Sequence, residues 1–172
     1  MPLAIRVENT HDAPDIARVH RLAFGRQHEA RLVERLREGG WARVSLVAQL
    51  DGQLEGPIVG HVLFSDLPIV TPAGSIAALA LAPLAVLPEH QSQGIGSELL
   101  RRGLDRCREQ GHTIVIVLGH PRYYSRFGFS PELARRLESR YAGESFMALE
   151  LIPGALARVS GRVEYPPPFG ES

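Results

Sequence analysis

Pro83 stands inside an otherwise continuous apolar strand pattern, Ser75 to Val86, and a glycine turn follows at once. Proline has no main-chain N–H, so a strand that carries it must bulge there or lie at a sheet edge. A bulge leaves nearby N–H and C=O groups without ladder partners. After Pro83 the chain runs Leu84-Ala85-Val86-Leu87-Pro88-Glu89-His90-Gln91-Ser92-Gln93-Gly94-Ile95-Gly96-Ser97 and opens the strongest helix pattern in the sequence, Gln93 to Gln110. The first turn of a helix carries N–H groups that lack internal acceptors, and the helix dipole adds partial positive charge there. Gly94 and Gly96 keep side chains away from those amides, while Ser92, Gln93 and Ser97 add hydrogen-bonding capacity around the same point. The turn suits an anion, and a diphosphate above all. The glycines by themselves equally suit a tightly packed strand–helix turn. A Rossmann fingerprint would place a third glycine at position 99, where Leu99 stands, and no Gly-Lys-Ser/Thr run of the P-loop type is present.

The strand before the turn favours the ligand reading. With the ladder interrupted at Pro83, the main chain of Leu84, Ala85 and Val86 can pair with an extended, amide-bearing ligand as an added strand would. The pantetheine arm of coenzyme A has that chemistry, and its diphosphate would then fall on the Gln91–Ser97 turn.

The remaining pattern describes an α/β chain with a mixed sheet. Ala4 to Glu8 is expected as a strand. Asp12 or Thr10 is expected to cap a helix with Pro14 in its first turn and Ile16, Val19, His20 and Ala23 as its stripe. A second helix is expected over Gln27 to Glu38, ended by Gly39-Gly40. Ser45 to Leu50 is a strand pattern followed by the turn signal Asp51-Gly52. Gly60 to Val70 and Ser75 to Val86 are expected as two long strands joined by a tight hairpin at Thr71-Pro72-Ala73-Gly74. The main helix should bury Ile95, Leu99, Leu100, Gly103, Leu104 and Cys107 and expose Arg101, Arg102, Asp105, Arg106 and Arg108. Ile114 to Leu118 is the β-branched run of a fully buried strand. A short helix is expected at Tyr123 to Phe127 and a last strand at Phe146 to Leu151. The tail around Pro166-Pro167-Pro168 is expected to be extended and weakly ordered. Without repeats or a linker, residues 1–172 are expected to form a single domain, with a core of about 4–151 and a tail of 152–172.

Composition narrows the function. Nineteen basic and 19 acidic residues give a formal net charge of zero, which argues against a nucleic-acid partner. The longest apolar run, Ile76 to Leu87, is broken by Pro83 and too short to span a bilayer, and the N-terminus lacks a signal pattern. No membrane partner and a cytoplasmic location are expected. The single cysteine, Cys107, has no intramolecular disulfide partner and reads as a small core residue. The seven histidines show no metal-ligand spacing, so no metal is expected.

Two segments carry a family resemblance. Leu84-Ala85-Val86-x-Pro88-x-x-Gln91-x-x-Gly94-x-Gly96 is similar to the acetyl-coenzyme A signature of the GCN5-related N-acetyltransferase (GNAT) family. Tyr124-Ser125-Arg126-Phe127-Gly128-Phe129 resembles its second signature, tyrosine-x-x-x-glycine-phenylalanine. The element order over about residues 4 to 151 agrees, and Pro83 to Pro88 with the paired tyrosines further resembles a bacterial subgroup of predicted acetyltransferases. The resemblance implies the acyl-coenzyme A N-acyltransferase fold, a mixed central sheet flanked by helices. It implies acetyl-coenzyme A as co-substrate and an amine, on a small molecule or a protein, as acceptor. Leu84, Ala85 and Val86 would hold the acetyl-pantetheine arm; Gln91, Ser92, Gln93, Gly94, Ile95, Gly96 and Ser97 would wrap the pyrophosphate. Tyr124, four residues before Gly128, would donate a proton to the departing thiolate, with Tyr123 one position away. The Val86 N–H would serve the oxyanion.

The base is a departure. Many relatives place a carboxylate on the strand before the first signature, and Ser75-Ile76-Ala77-Ala78-Leu79-Ala80-Leu81-Ala82 has none. His120, at a strand's C-terminal end, Glu29, Glu34, His61 and Asp66 are the candidates for that role or for amine recognition. Three readings stand: transfer of acetyl to a primary amine; transfer of a longer acyl group, or to an alcohol, on the same fold; and a coenzyme A-binding sensor without turnover. An exposed sheet edge and a terminal strand would suit a homodimer.

Overall fold

A computed structural model describes residues 3–50 and 56–170. The strands are β1 (Leu3–Val7), β2 (Ala42–Leu50), β3 (Ile58–Asp66), β4 (Ile69–Thr71), β5 (Gly74–Ile76), β6 (Leu79–Val86), β7 (Ile114–Leu118), β8 (Leu137–Glu138), β9 (Phe146–Glu150) and β10 (Gly161–Val163). The helices are α1 (Ala13–Phe24), α2 (His28–Glu38), α3 (Ile95–Glu109) and the one-turn α4 (Pro121–Tyr124). The chain divides into two compact units: Met1–Phe64 with Ala82–Arg106, and Ser65–Leu81 with Cys107–Ser172.

In the first unit β1, β2, β3 and the second half of β6 lie side by side, β1 antiparallel to β2 from Leu3 opposite Leu50 to Val7 opposite Leu46. Neighbouring residues of β3 face opposite sides, as strand geometry requires. Gly60 lies against Leu99 and Phe64 against Gly103, both on α3, whereas His61 meets His20 on α1. The two helices therefore cover opposite faces of β3. Gly103 is needed there: a Cβ would come within 2.4 Å of the Phe64 ring. The inner face of α3 is buried as its periodicity predicts, Cys107 included. Burial pushes the Cys107 thiol up to about 12, which leaves it inert as a nucleophile.

Beneath α1 runs a chain of polar side chains, half-buried at Arg37, Glu8 and Ser45 and fully buried at His61 and His20. Arg37 grips the Glu8 carboxylate through two N–H groups at 3.0 and 3.1 Å, and the Ser45 hydroxyl donates to the same carboxylate. The hydroxyl has one hydrogen, so at 2.8 Å it must accept from His61 Nε2–H. His61 Nδ1 is then bare and accepts from His20 Nε2–H at 2.8 Å. His20 Nδ1 is left as a bare lone pair, buried and without a hydrogen-bond partner. Burial, then the positive character of His61 and Arg37, pulls His20 down to about 3. Burial alone would lift Glu8, but the nearby His61 Nε2–H, 3.6 Å away, and the hydrogen bonds from Arg37 and Ser45 outweigh it and hold the carboxyl at about 2.

In the second unit the first half of β6 pairs in parallel with β7, Leu79 opposite Val115 and Ala80 opposite Ile116, and β7 pairs antiparallel with β9. A smaller sheet in the order β5-β4-β10-β8 belongs to this unit. An apolar cluster around Ile69, Ile116, Phe146 and Val163 forms its core.

The structure corrects several expectations. Asn9 caps the 3-10 turn Thr10–Asp12 that leads into α1: its side chain accepts from His11 N–H, and its own N–H donates to the Asp12 carboxylate, which Arg6 also holds at 2.7 Å; at the start of α1 itself Asp12 makes no side-chain cap bond. The two long strands are each broken, at Leu67-Pro68 and at Ala77-Ala78, giving four strands. Leu67 N–H bonds to Ala78 C=O across the gap. The hairpin turn is as expected, with Thr71 opposite Gly74. The short helix begins at Pro121 and tightens into a 3-10 turn over Ser125–Phe127. β9 is not the last strand, because β10 follows. The tail is packed, with Tyr141, Tyr165 and Phe169 ring centroids 5.4 to 5.5 Å apart in sequence of contact. The Asp51-Gly52 turn lies outside the described residues.

Both pKa shifts in the buried chain predict acid lability. The folded state binds fewer protons than the unfolded chain, so stability falls as pH drops from about 6.5 toward 3 for His20 and from about 4.5 toward 2 for Glu8. His20 alone should remove about 1.4 kcal/mol per pH unit in its window. Urea midpoints at pH 7, 5.5 and 4.5 measure this, and a flat profile would contradict the neutral buried pair.

Candidate active site

β6 and the turn after it are fastened at a single peptide. Leu87 N–H donates to Val59 C=O on β3 at 2.8 Å. The Val86 carbonyl, on the other side of that peptide, accepts from the Gln91 side-chain amide at 2.9 Å. In an extended residue N–H and C=O point to the same edge, and the edge alternates along the strand. Val86 and Leu84 therefore direct their main-chain groups away from β3, and Ala85 directs its groups toward it. The Ala85 carbonyl accordingly lies beside Gly60 of β3. On that geometry Leu84 and Val86 are the residues able to pair with a ligand at this edge, with Ala85 between them holding the strand to β3.

The turn is built from unusual backbone. Pro88–His90 make a 3-10 turn, Gln91 is extended, Ser92 is left-handed with φ 63°, and Gly94 is left-handed with φ 86°. A left-handed serine costs about 1 kcal/mol, and among the described residues it is the one non-glycine residue so placed. Gly94 C=O accepts from Glu98 N–H at 3.0 Å, so Gly94 is the last residue before α3. The amides of Ile95, Gly96 and Ser97 are the first turn of the helix, where no carbonyl four residues back can serve them. A Cβ on Gly94 would meet no protein atom within 4 Å, so the glycine answers to its backbone angle and to whatever approaches from outside. Leu84, Val86 and residues 91–97 are thus brought together within the first unit.

Tyr124 belongs to the second unit, at the end of α4. It is half-buried, and its ring stands edge-on to Tyr123 at 5.0 Å and to Phe129 at 5.7 Å. Burial, with a smaller push from Tyr123, raises its phenol to about 12, so it holds its proton throughout the neutral range. Sequence reasoning missed what seats the ring. Gly119 has no side chain, and a Cβ there would lie 2.4 Å from the Tyr124 ring. The signal was a lone glycine at the end of a buried strand pattern.

The candidate bases fare unequally. His61 is fully buried with both ring nitrogens engaged. Glu29 is held by Arg26 through two bonds, and that pairing keeps its carboxyl below the usual range. Glu34 and His120 are exposed and Asp66 is half-buried. The strand region Ser75–Ala82 carries no carboxylate. Among the described residues no group of His, Cys, Asp or Glu is arranged to hold a metal ion, and no helix is long and apolar enough to cross a membrane.

A strand edge that ends in a main-chain amide turn at the start of a helix suits an extended, diphosphate-bearing ligand. Residues 4–131 match the Acetyltransferase (GNAT) domain model, and the chain belongs to that family. It is 39% identical to the N-acetyltransferase YhbS of Escherichia coli K12 over 165 residues, 95% of this chain and 96% of that protein. It is 42% identical over 125 residues to the N-acetyltransferase YjhQ of the same organism, covering 73% and 68% of the two chains. The crystal structure of YhbS in complex with CoA superposes with a TM-score of 0.88 at 38% identity, covering 97% of this chain and 91% of that one. A GNAT family acetyltransferase from Brucella melitensis in complex with acetyl-CoA gives a TM-score of 0.79 at 31% identity, covering 98% and 99%.

The Gly119–Tyr124 contact is directly testable. Gly119→Ala should destabilise the protein by about 1–3 kcal/mol through overpacking. In the background of Tyr124→Ala, which removes the ring, the same substitution should cost much less. Urea unfolding of the four proteins gives the coupling, and additive costs would mean that the ring does not rest on Gly119.

Proposed function

We propose that this protein transfers an acetyl group from acetyl-CoA to a primary amine by direct attack. The observation that carries the reading is the pairing, at one end of β6, of a strand edge able to take an amide-bearing arm with a helix-opening amide turn able to take a diphosphate. The complexes of the two structural relatives with CoA and acetyl-CoA support it. The family membership sets aside the reading as a sensor without turnover.

The pantetheine arm would extend along Leu84 and Val86, and the diphosphate would rest on the turn of residues 91–97. The thioester carbonyl oxygen would face the Val86 N–H, which stabilises the oxyanion as it forms. An alkylamine is mostly protonated near neutral pH, with a lysine-like pKa of about 10.4, so it must lose a proton before it attacks. With an apolar strand in the place of a carboxylate, water in contact with solvent is the simplest acceptor of that proton. The neutral amine forms the new C–N bond, the tetrahedral centre collapses, and the C–S bond breaks with its electron pair leaving on sulfur. Tyr124 donates to that sulfur. A phenol near 12 is a weaker acid than a thiol of about 8.5. Transfer to the thiolate is therefore uphill: the phenol hydrogen-bonds to the sulfur as its charge develops, and the proton it gives up is replaced from solvent. The second proton of the amine departs to solvent, leaving an amide and a free thiol. The same site would serve a longer acyl chain or an alcohol acceptor.

Thiol release from acetyl-CoA against a panel of amines tests the reaction. Tyr124→Phe should lower kcat about 10²–10⁴-fold, the range for a positioned general acid, with KM for acetyl-CoA little changed. Thiol release that Tyr124→Phe leaves at the wild-type rate would remove the tyrosine from the mechanism, and absence of release with every amine would refute the transfer itself.

A further inference from the structure

The Gln91 side chain does not point into the amide turn that it opens; it reaches back to the strand. Its Nε2 lies 2.9 Å from the Val86 carbonyl, five residues earlier, and donates to it. The peptide joining Val86 to Leu87 is thereby held at both ends, by Gln91 on one edge and by Val59 of β3 on the other. The backbone around Gln91 is shaped for that reach. Gln91 N–H bonds to Pro88 C=O at 3.3 Å at the close of the 3-10 turn, and the left-handed Ser92 turns the chain away immediately afterward.

Two consequences follow for any arm lying along this edge. Clamping the peptide limits rotation at Val86, and so fixes the direction of the Val86 N–H. It also takes up one of the two lone pairs of the Val86 carbonyl and puts the Gln91 carboxamide beside that oxygen. An extended ligand with amide N–H groups, facing bare carbonyls at both Leu84 and Val86, has two registers open to it. Those registers differ by two residues, about 7 Å of strand. With the Gln91 carboxamide beside the Val86 carbonyl, one register remains. The partner must be a donor: a carboxylate here would face a carbonyl oxygen, and an alanine would leave it bare.

We infer that Gln91 is a positioning residue, which donates its side-chain amide to the Val86 carbonyl and so fixes both the aim of the Val86 N–H and the register of the acyl arm. This rests on the acetyl-CoA reading proposed above. The Gln91 side chain acts on the reaction through Val86 and is not itself a ligand of the diphosphate.

Amide NMR with ¹⁵N-labelled protein, titrated separately with CoA and with acetyl-CoA, distinguishes the two roles. In the wild type, both ligands should move the Ile95 and Gly96 amides, and acetyl-CoA should add a further shift at Val86. Gln91→Ala and Gln91→Glu should abolish that acetyl-dependent shift while keeping the Ile95 and Gly96 shifts and a calorimetric CoA affinity within about threefold of wild type. Gln91→Arg, which restores a donor of sufficient reach, should recover it. Thiol release by the alanine variant should fall about tenfold to a hundredfold in kcat, the scale expected for a misaligned oxyanion donor. A Gln91→Ala protein that keeps the acetyl-dependent Val86 shift, or that loses CoA affinity more than tenfold together with the Ile95 and Gly96 shifts, would overturn the inference and leave the acetyl-CoA reading standing. If the wild type shows no CoA-dependent shift at Ile95 and Gly96, the acetyl-CoA reading fails, and the role of Gln91 fails with it.

Discussion

A proline cannot donate to a β-ladder, and the placement of Pro83 divides β6 into two stretches with different tasks. Before it, Leu79 and Ala80 pair with β7 as ordinary strand residues. After it, Val86 gives its carbonyl to a side chain and Leu87 gives its N–H to β3. The amide turn, the entry into α3 and the alignment of Leu84 and Val86 all depend on where that second stretch ends. The left-handed Ser92 and Gly94 are the backbone cost of turning from a strand into a helix within a few residues.

The face of α3 was legible because its apolar spacing is long and regular. The glycine turn was legible because a left-handed residue at the entry to a helix favours glycine, as at Gly94. Of the breaks that split two expected strands into four, Pro68 carried the same signal as Pro83, a residue that cannot donate to a ladder, and was passed over within its apolar run, while the Ala77-Ala78 step carries no turn signal. Asn9 was missed as a cap because Asp12 and Thr10 are better placed on the sequence alone, and the pairing of Asp12 with Arg6 is a tertiary choice. The packing of the tail was hidden by three prolines, which suggest extension, while the aromatic residues flanking them supply the burial.

The candidate site divides the same way. The open main-chain edge at Leu84 and Val86 and the glycine-containing turn after it could be anticipated from residue types, since they depend on what a side chain would obstruct. Alternation along β6 then separates Ala85 from its two neighbours, a distinction that a run of three apolar residues does not contain. Gln91 could be placed at the turn, but the direction of its carboxamide depends on the torsions between residues 86 and 92. Gly119 belongs with it: its role is visible only once the Tyr124 ring is seen to occupy the space of a missing Cβ. His61 had the right chemistry for a base and the wrong location, buried under α1 with both ring nitrogens engaged.

That buried chain also has a direction. A carboxylate can only accept, so Glu8 obliges Ser45 to donate, Ser45 obliges His61 to donate, and His61 obliges His20 to donate. A negative charge just past the first strand thus dictates the proton position of an imidazole in the first helix, through two intermediaries and without touching it. The rings cannot reverse their order while Glu8 stays ionised, and an uncharged glutamine in its place would permit the chain to run either way.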